Sequence, residues 1–350
     1  MAVPGFFRDF DRTFCDRAGH SLPKTMGSSS WRKYAGAGLP FPARLGPGHG
    51  IFARAVSSPA GMGKKSVNGA PVFIDNRRKE VYTLKCTISH STLFCLYGKT
   101  FTKGVRVSVK ENKYDEPVFF EKYSQMGRSV QGLSGAGEWP ALKALLPDLQ
   151  GKRVLDLGCG YGWHCVYAAE HGAEFVLGTD ISERMLQVAR QKTQSPAVRY
   201  CRTAMEDLTC EPKSFDLVLS SLAFHYIEDF EMMVKKIYSW LPIGGLFLFS
   251  AEHPVFTAQG AQDWVYNEKG EILHFPVDNY YYEGKRSAVF LGEPVVKYHR
   301  TLTTYLETLI RQGFQIRHVV EPQPPAEMLG LPGMKDEMRR PMMLIISAQK

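Results

Sequence analysis

A strand-like apolar run that breaks straight into three alternating glycines, Val154-Leu-Asp-Leu-Gly-Cys-Gly-Tyr-Gly162, constrains this chain more than any other feature. Lys152 to Leu157 reads as a short buried strand. Gly158, Gly160 and Gly162 let the chain turn sharply and present bare backbone to a ligand at the start of the next helix. Asp156 stands two residues before the first glycine, near the carboxyl end of the strand, where open α/β sheets bind ligands and a carboxylate can meet a cation. The arrangement suits a nucleoside cofactor. A nicotinamide dinucleotide would want G-x-G-x-x-G, but counted from Gly158 the third glycine position is Trp163, and no P-loop Gly-Lys-Ser/Thr follows.

Glu174 to Thr179 is a second strand pattern with Asp180 at its carboxyl end, where an acid accepts the two hydroxyls of a ribose. Ser182 then fits the cap of a helix over 183–192. Periodicity further predicts helix 138–146, strand 152–157, helix 162–171 closed by Gly172, strands 174–179, 197–201 and 215–220, helix 228–240 and strand 244–250. Helix 301–312 and strands 314–320 and 342–348 complete the series, whose alternation implies a doubly wound α/β sheet. The connection over 251–300 is too long for a plain loop and reads as a substrate-covering cap with two or three antiparallel strands. It carries Trp264, Tyr266, Phe275, Tyr280, Tyr281, Tyr282 and Phe290, of which one or two are expected to face a ligand while the others pack the insertion onto the sheet.

The segments VLDLGCGYG (154–162), VLGTDIS (176–182), AMEDL (204–208), FDLVLSSLAFHYI (215–227) and LPIGGLFLFS (241–250), in that order, resemble the class I S-adenosylmethionine-dependent methyltransferases. The likeness is to small-molecule enzymes similar to the quinone-biosynthesis type. It implies a seven-stranded, mostly parallel Rossmann-like sheet whose last strand is antiparallel, with S-adenosyl-L-methionine as cofactor. It also implies that Gly158, Cys159, Gly160 and Gly162 line the methionine part, that Asp156 faces its ammonium, and that Asp180, followed by Ile181, binds the ribose hydroxyls. Met205 would pack on the adenine. Glu206 or Asp207 would meet its amino group, since Thr203 and Ala204 stand where many relatives carry Asp. The aromatic stretch Tyr114 to Tyr123 would fold over the cofactor, with Tyr123 as a cofactor contact, the alternative being that the stretch packs into the core against helix 138–146. SSLAFHY, in place of an Asn/Asp-Pro-Pro-Tyr/Phe motif, disfavours methylation of amide or base nitrogens.

Displacement at a sulfonium methyl needs proximity and alignment above all, and a hydroxyl acceptor needs a base as well. Three histidines follow strand ends or precede a helix: His225, His253 and His299. His225 is the first candidate for the base and His253 the second, although each can equally serve as a structural or substrate-orienting group. No metal site is expected, because the seven cysteines form no C-x-x-C pair and look like reduced thiols of an intracellular protein.

The net charge of +8 is unevenly spread: residues 1–110 hold 18 Lys/Arg against five Asp/Glu, and residues 111–350 hold 25 against 30. The half that carries the motifs is therefore mildly acidic, which argues against nucleic acid as substrate, and the small-molecule methyl acceptor is what the resemblance implies. With 44% hydrophobic residues and no 18-residue apolar run, no membrane span is expected. Residues 1–110 read as a basic, Gly/Pro/Ser-rich, largely disordered extension with a loose hairpin over 80–97, ahead of a methyltransferase domain over 111–350. Asp9, Asp11 and Asp16 interrupt what would otherwise look like a mitochondrial transit peptide, so the expected location is cytoplasmic, with mitochondrial import as the alternative. The alternative function is a catalytically inactive cofactor-binding or scaffolding protein. Oligomeric state has no signature in the sequence.

Overall fold

The computed structural model describes four strands between residues 63 and 100, residue 110, and residues 112–350. The transit-peptide and linker expectations for the first 62 residues lie outside these. Beyond the hairpin expected over 80–97, strands Gly63–Val67, Ala70–Asp75, Glu80–Ser89 and Thr92–Thr100 follow one another as an antiparallel meander. The two-residue strand Thr209–Cys210 pairs in parallel with Glu80–Ser89.

Seven strands form the central sheet: β1 (Arg153–Leu157), β2 (Phe175–Asp180), β3 (Val198–Arg202), β4 (Leu217–Ser221), β5 (Leu246–Glu252), β6 (Gln315–Val320) and β7 (Met343–Gln349). Their spatial order is β6-β7-β5-β4-β1-β2-β3, and β7 alone runs antiparallel to its neighbours. The seven-stranded, mostly parallel sheet with a reversed last strand is thus present. Crossing from β1 to β4 reverses the direction in which the chain winds, and such a switch point opens a crevice outside the carboxyl ends of the strands.

Burial on both faces explains the near-continuous apolar strands. Leu155, Val218, Phe247, Phe249, Leu344 and Ile346 join one core cluster, whereas Val154, Leu217, Leu219, Leu248 and Ile345 join the other, so alternate residues serve opposite faces. The first face is covered by Phe230–Trp240 and Leu302–Gln312. In the former, Phe230, Met233, Val234, Ile237 and Trp240 make a buried stripe at helical spacing, begun by Asp229, whose carboxylate accepts from Met232 N at 2.8 Å. The second face is covered by Trp163–Glu170 and Glu183–Lys192. Among the described residues no helix is long and apolar enough to cross a membrane.

The 251–300 insertion holds two antiparallel pairs, Val265–Tyr266 with Ile272–His274 and Gly284–Phe290 with Glu293–His299. Trp264 and Phe275 meet edge to face at 5.2 Å and the Arg340 guanidinium lies over both rings, so these aromatics pack the insertion rather than face a ligand. Tyr281 and Tyr282 are exposed.

Candidate active site

The carboxyl ends of β1, β2, β4 and β5 converge on a cavity of about 670 Å³. Its floor begins at the glycine turn. Gly158 N and Cys159 N both donate to the Thr179 carbonyl, at 2.8 and 2.9 Å, which tethers the turn to β2. Gly158 and Gly160 have φ of 72° and 53° and both line the cavity. A methyl on Gly158 would lie 2.6 Å from the Ala223 Cβ, whereas one on Gly160 would meet nothing and project into open space. Bare backbone is therefore presented at Gly160. Gly162 has a different duty: it does not line the cavity, and a Cβ there would lie 2.2 Å from the Tyr200 hydroxyl.

Asp180 lies at the cavity edge, its carboxylate accepting from Gly160 N at 2.9 Å and Ser182 N at 2.8 Å. Burial pushes its pKa up to about 6 against the pull of these two backbone donors. Asp156, expected to face the ammonium, is placed differently from Asp180. In β1, Leu155 and Leu157 face one core and Asp156 the other, so its side chain turns toward helix Trp163–Glu170 instead of the strand end. It does not line the cavity, and its Oδ2 accepts from the Cys165 thiol at 3.3 Å while Oδ1 is buried without a partner among the described residues. Burial raises this carboxyl to about 7. Cys159 is likewise buried off the cavity, with its thiol pushed well above the usual range.

Ile181, Met205 and Glu206 line the β2–β3 side, the last two on the short turn Met205–Asp207, while Asp207 is exposed and pairs with Lys110 at 2.6 Å. Over them lies the aromatic stretch. Asp115 fastens it: the carboxylate accepts from Ser182 Oγ at 2.6 Å, Arg184 N at 3.1 Å and Arg202 Nη2 at 3.0 Å, which hold it below the usual carboxylate range despite desolvation. Tyr114 and Tyr123 reach the cavity, with their rings edge to face at 5.2 Å. Arg128 follows, a residue the sequence did not single out. It lines the cavity with one nitrogen, Nη2, committed to both oxygens of buried Glu138, at 2.9 and 2.8 Å.

The β4–β5 side holds His225, buried and lining the cavity. Its Nδ1 accepts from the Glu252 N–H at 3.4 Å and its Nε2 lies 3.9 Å from Glu252 Oε1. Burial lowers this imidazole to about 4, so it is neutral at physiological pH with its proton on Nε2. Glu252, which sequence reasoning passed over, lines the cavity at the end of β5. Oε1 accepts from Lys297 Nζ at 2.5 Å and Oε2 from Gln262 Nε2 at 2.7 Å, and Gln262 Oε1 closes the ring by accepting from Lys297 at 2.8 Å. His225 and Lys297 keep this buried carboxylate below its ordinary pKa although burial opposes them. Gln262 holds a left-handed φ of 53°, and its side-chain bonds to Glu252 and Lys297 compensate that strain.

His253 is not brought to the cavity. Its Nδ1 caps the short helix Pro254–Thr257 by accepting from Val255 N at 3.0 Å, and its Nε2 lies 2.8 Å from Glu321 Oε1. His299 is consumed between Thr257 Oγ1 at 2.7 Å and the Tyr280 carbonyl at 2.8 Å. Of the insertion's aromatics named from sequence, Phe290 lines the cavity, joined by Tyr298. The connection over 321–342 also supplies wall residues, including Met328, Met334 and Met342. The only signal in the sequence for this wall was five methionines over 326–343.

A methyltransferase-domain family matches residues 155–249, the span from β1 to β5. A solved structure described as a putative S-adenosylmethionine-dependent methyltransferase from Listeria monocytogenes is 59% identical, with a TM-score of 0.61, and the match covers 63% of this chain and 99% of that one. The chain belongs to the S-adenosylmethionine-dependent methyltransferases. A second such structure, from Mesorhizobium loti, is 44% identical over 63% of this chain and 100% of its own, with a TM-score of 0.59. The ubiquinone biosynthesis O-methyltransferase of Coxiella burnetii is 33% identical over 31% of this chain and 47% of its own length. That shared part is less than half of the relative. The cofactor of this methyltransferase is S-adenosylmethionine, and the turn fits it: Gly160 offers backbone without a Cβ in the way, and Asp180 keeps lone pairs beyond the two it gives to backbone N–H groups.

Proposed function

We propose that this methyltransferase passes the methyl group to a small-molecule acceptor by in-line displacement, with the acceptor atom seated at the His225–Glu252 gap. The observation that carries this is one cavity lined at one end by Gly160 and Asp180 and at the other by His225 and Glu252. The cofactor supplies an electrophilic sulfonium methyl. Asp180 would accept the ribose hydroxyls, with Ile181, Met205 and Glu206 around the adenine and Tyr123 as cover. Arg128, with guanidinium donors beyond the single nitrogen given to Glu138, would meet the amino-acid carboxylate. Asp156 then acts from behind the turn, not as a direct ammonium contact.

An oxygen placed about 2.8 Å from both His225 Nε2 and Glu252 Oε1 fits beside their 3.9 Å line. There it would accept the Nε2 hydrogen and donate its own proton to the carboxylate as its bond to the methyl carbon forms and the methyl's bond to sulfur breaks. His225 thereby orients the nucleophile, and Glu252 stands where the general base was sought. Lys297 and Gln262 fix the carboxylate and stop it from turning away. The catalytically inactive alternative gains nothing from this arrangement, since a scaffold has no use for a desolvated carboxylate beside a neutral imidazole at the cavity wall.

The test is transfer of labelled methyl from S-adenosylmethionine into fractionated metabolite extract by the purified full chain. Label should appear in a small product, and its absence from every small-molecule fraction would remove the proposal. With that acceptor, His225→Ala and Glu252→Gln should each lower kcat by about 10²–10⁴, while S-adenosylhomocysteine binds as before.

A further inference from the structure

We infer that the acceptor is uncharged and predominantly apolar, gripped by the 321–342 connection and presenting a single hydroxyl to the His225–Glu252 gap. This rests on the methyltransferase reading above and narrows it. The sheet order separates the two halves of the cavity: the turn, Asp180 and Met205 belong to the β1-β2-β3 side, whereas β4, β5, β7 and the connection entering β7 form the other side. The walls of that second half are supplied by Met328, Leu331, Met334, Met342 and Met343, faced by Phe290.

The charges bordering this half are either paired or exposed to water. Glu337 binds Arg340 through both oxygens, at 2.7 and 3.1 Å. Glu252 is held by Lys297 and Gln262. Glu228 is exposed, so water screens it, and it takes the hydrogen bond of the Tyr298 hydroxyl. Lys285 lines the cavity from an exposed position at the start of its hairpin, where water screens it. A charged group on the acceptor would therefore enter this half without a desolvated counter-ion, at a cost that excludes it unless it remains in water at the rim. Methionine, unbranched and polarisable, favours flat apolar or aromatic surfaces and adapts to their outline. The hydroxyl follows from the gap, which offers one donor and one acceptor about an oxygen apart.

The experiment is calorimetric titration of the full chain, first with S-adenosylhomocysteine and then, on the saturated protein, with three probes of one shape: 2-naphthol, 2-naphthoate and 2-naphthylmethylammonium. Naphthol should bind at least about tenfold more tightly than either ion, a difference of about 1.4 kcal/mol. Met334→Glu, a change at a half-buried wall position, should abolish naphthol binding and leave the first titration unaltered. Met328→Lys should do the same. Equal or tighter binding of either ion, no binding of naphthol, or indifference of naphthol to both variants would overturn the inference. Failure of the first titration would instead strike the cofactor assignment, so the two readings fail separately.

Discussion

Replacing Gly162 by Ala tests whether the third glycine of the turn serves the ligand or the fold. Two costs add. The residue has φ of 75°, where an L side chain is disfavoured by about 1–2 kcal/mol. The new Cβ would lie 2.2 Å from the Tyr200 hydroxyl, 2.9 Å from its Cζ and 3.1 Å from the Ala189 Cβ, an overpacking that costs about 1–3 kcal/mol. The hydroxyl is not a free end that can swing away, because it is hydrogen-bonded to Thr193 Oγ1 at 2.8 Å and the same ring edge packs across Gly178. The expected loss is about 2–5 kcal/mol, a large part of the stability of an ordinary domain. In urea, with a slope of about 2 kcal/mol per molar, the midpoint should fall by about 1–2.5 M. Tyr200→Phe in the same chain removes the nearest atom and should return about 1 kcal/mol or more, leaving the backbone term. S-adenosylhomocysteine should bind the folded variant within about threefold of the parent (~0.7 kcal/mol). A midpoint unchanged within about 0.3 M, or normal stability with lost affinity, would refute the assignment of Gly162 to packing and return it to the ligand.

Two further outcomes are expected. Because burial pushes Asp180 up to about 6 and, in the proposed binding mode, its ionised form would accept the ribose hydroxyls, S-adenosylhomocysteine affinity should fall as pH drops through that value, approaching tenfold per unit below it. The sign is that ligand binding favours the charged carboxylate and proton uptake opposes it. Calorimetry from pH 5 to 8 should show the fall in Asp156→Asn and a flat, weak profile in Asp180→Asn, and a persistent slope in the latter would move the titration elsewhere. Lys297→Met strands the buried Glu252 carboxylate and should cost about 3–5 kcal/mol, whereas Lys297→Met with Glu252→Gln should recover most of it. Equal urea midpoints for the single and double variants would show that the pair is not the source of the loss.

The parts of the fold that were legible are those where local chemistry and global position agree. The strand-then-glycine pattern placed β1 and its turn, and Asp180 could be singled out as a candidate because it ends the next strand at a short distance from that turn; the structure puts it at the cavity edge. Asp156 lies off the cavity for a reason internal to strands: proximity to the carboxyl end says nothing about which face a side chain serves, and the neighbours Leu155 and Leu157 decide it. His253 and His225 follow equivalent strand ends, yet His253 directly precedes Pro254 and caps the helix Pro254–Thr257, whereas His225 lies inside the short turn Phe224–Tyr226 and lines the cavity. Glu252, Lys297 and Gln262 are distant in sequence and carry no motif, so only the insertion's fold could unite them. The segment over 63–75 shows the same limit, since its strands arise from pairing with later ones and not from strong periodicity of their own.

The reversal of β7 has a geometric corollary. A strand that ran with the others would begin at the amino-terminal rim, and the chain leaving β6 would have to travel the full depth of the sheet to reach it, away from any ligand. Running the opposite way, β7 starts on the rim where β6 stops, so the linker between them never leaves the mouth of the enzyme. Its length and content are then free of any structural duty beneath the sheet. Relatives sharing this framework could exchange that one linker to accept a different molecule while the nucleoside grip on the far strands stays untouched.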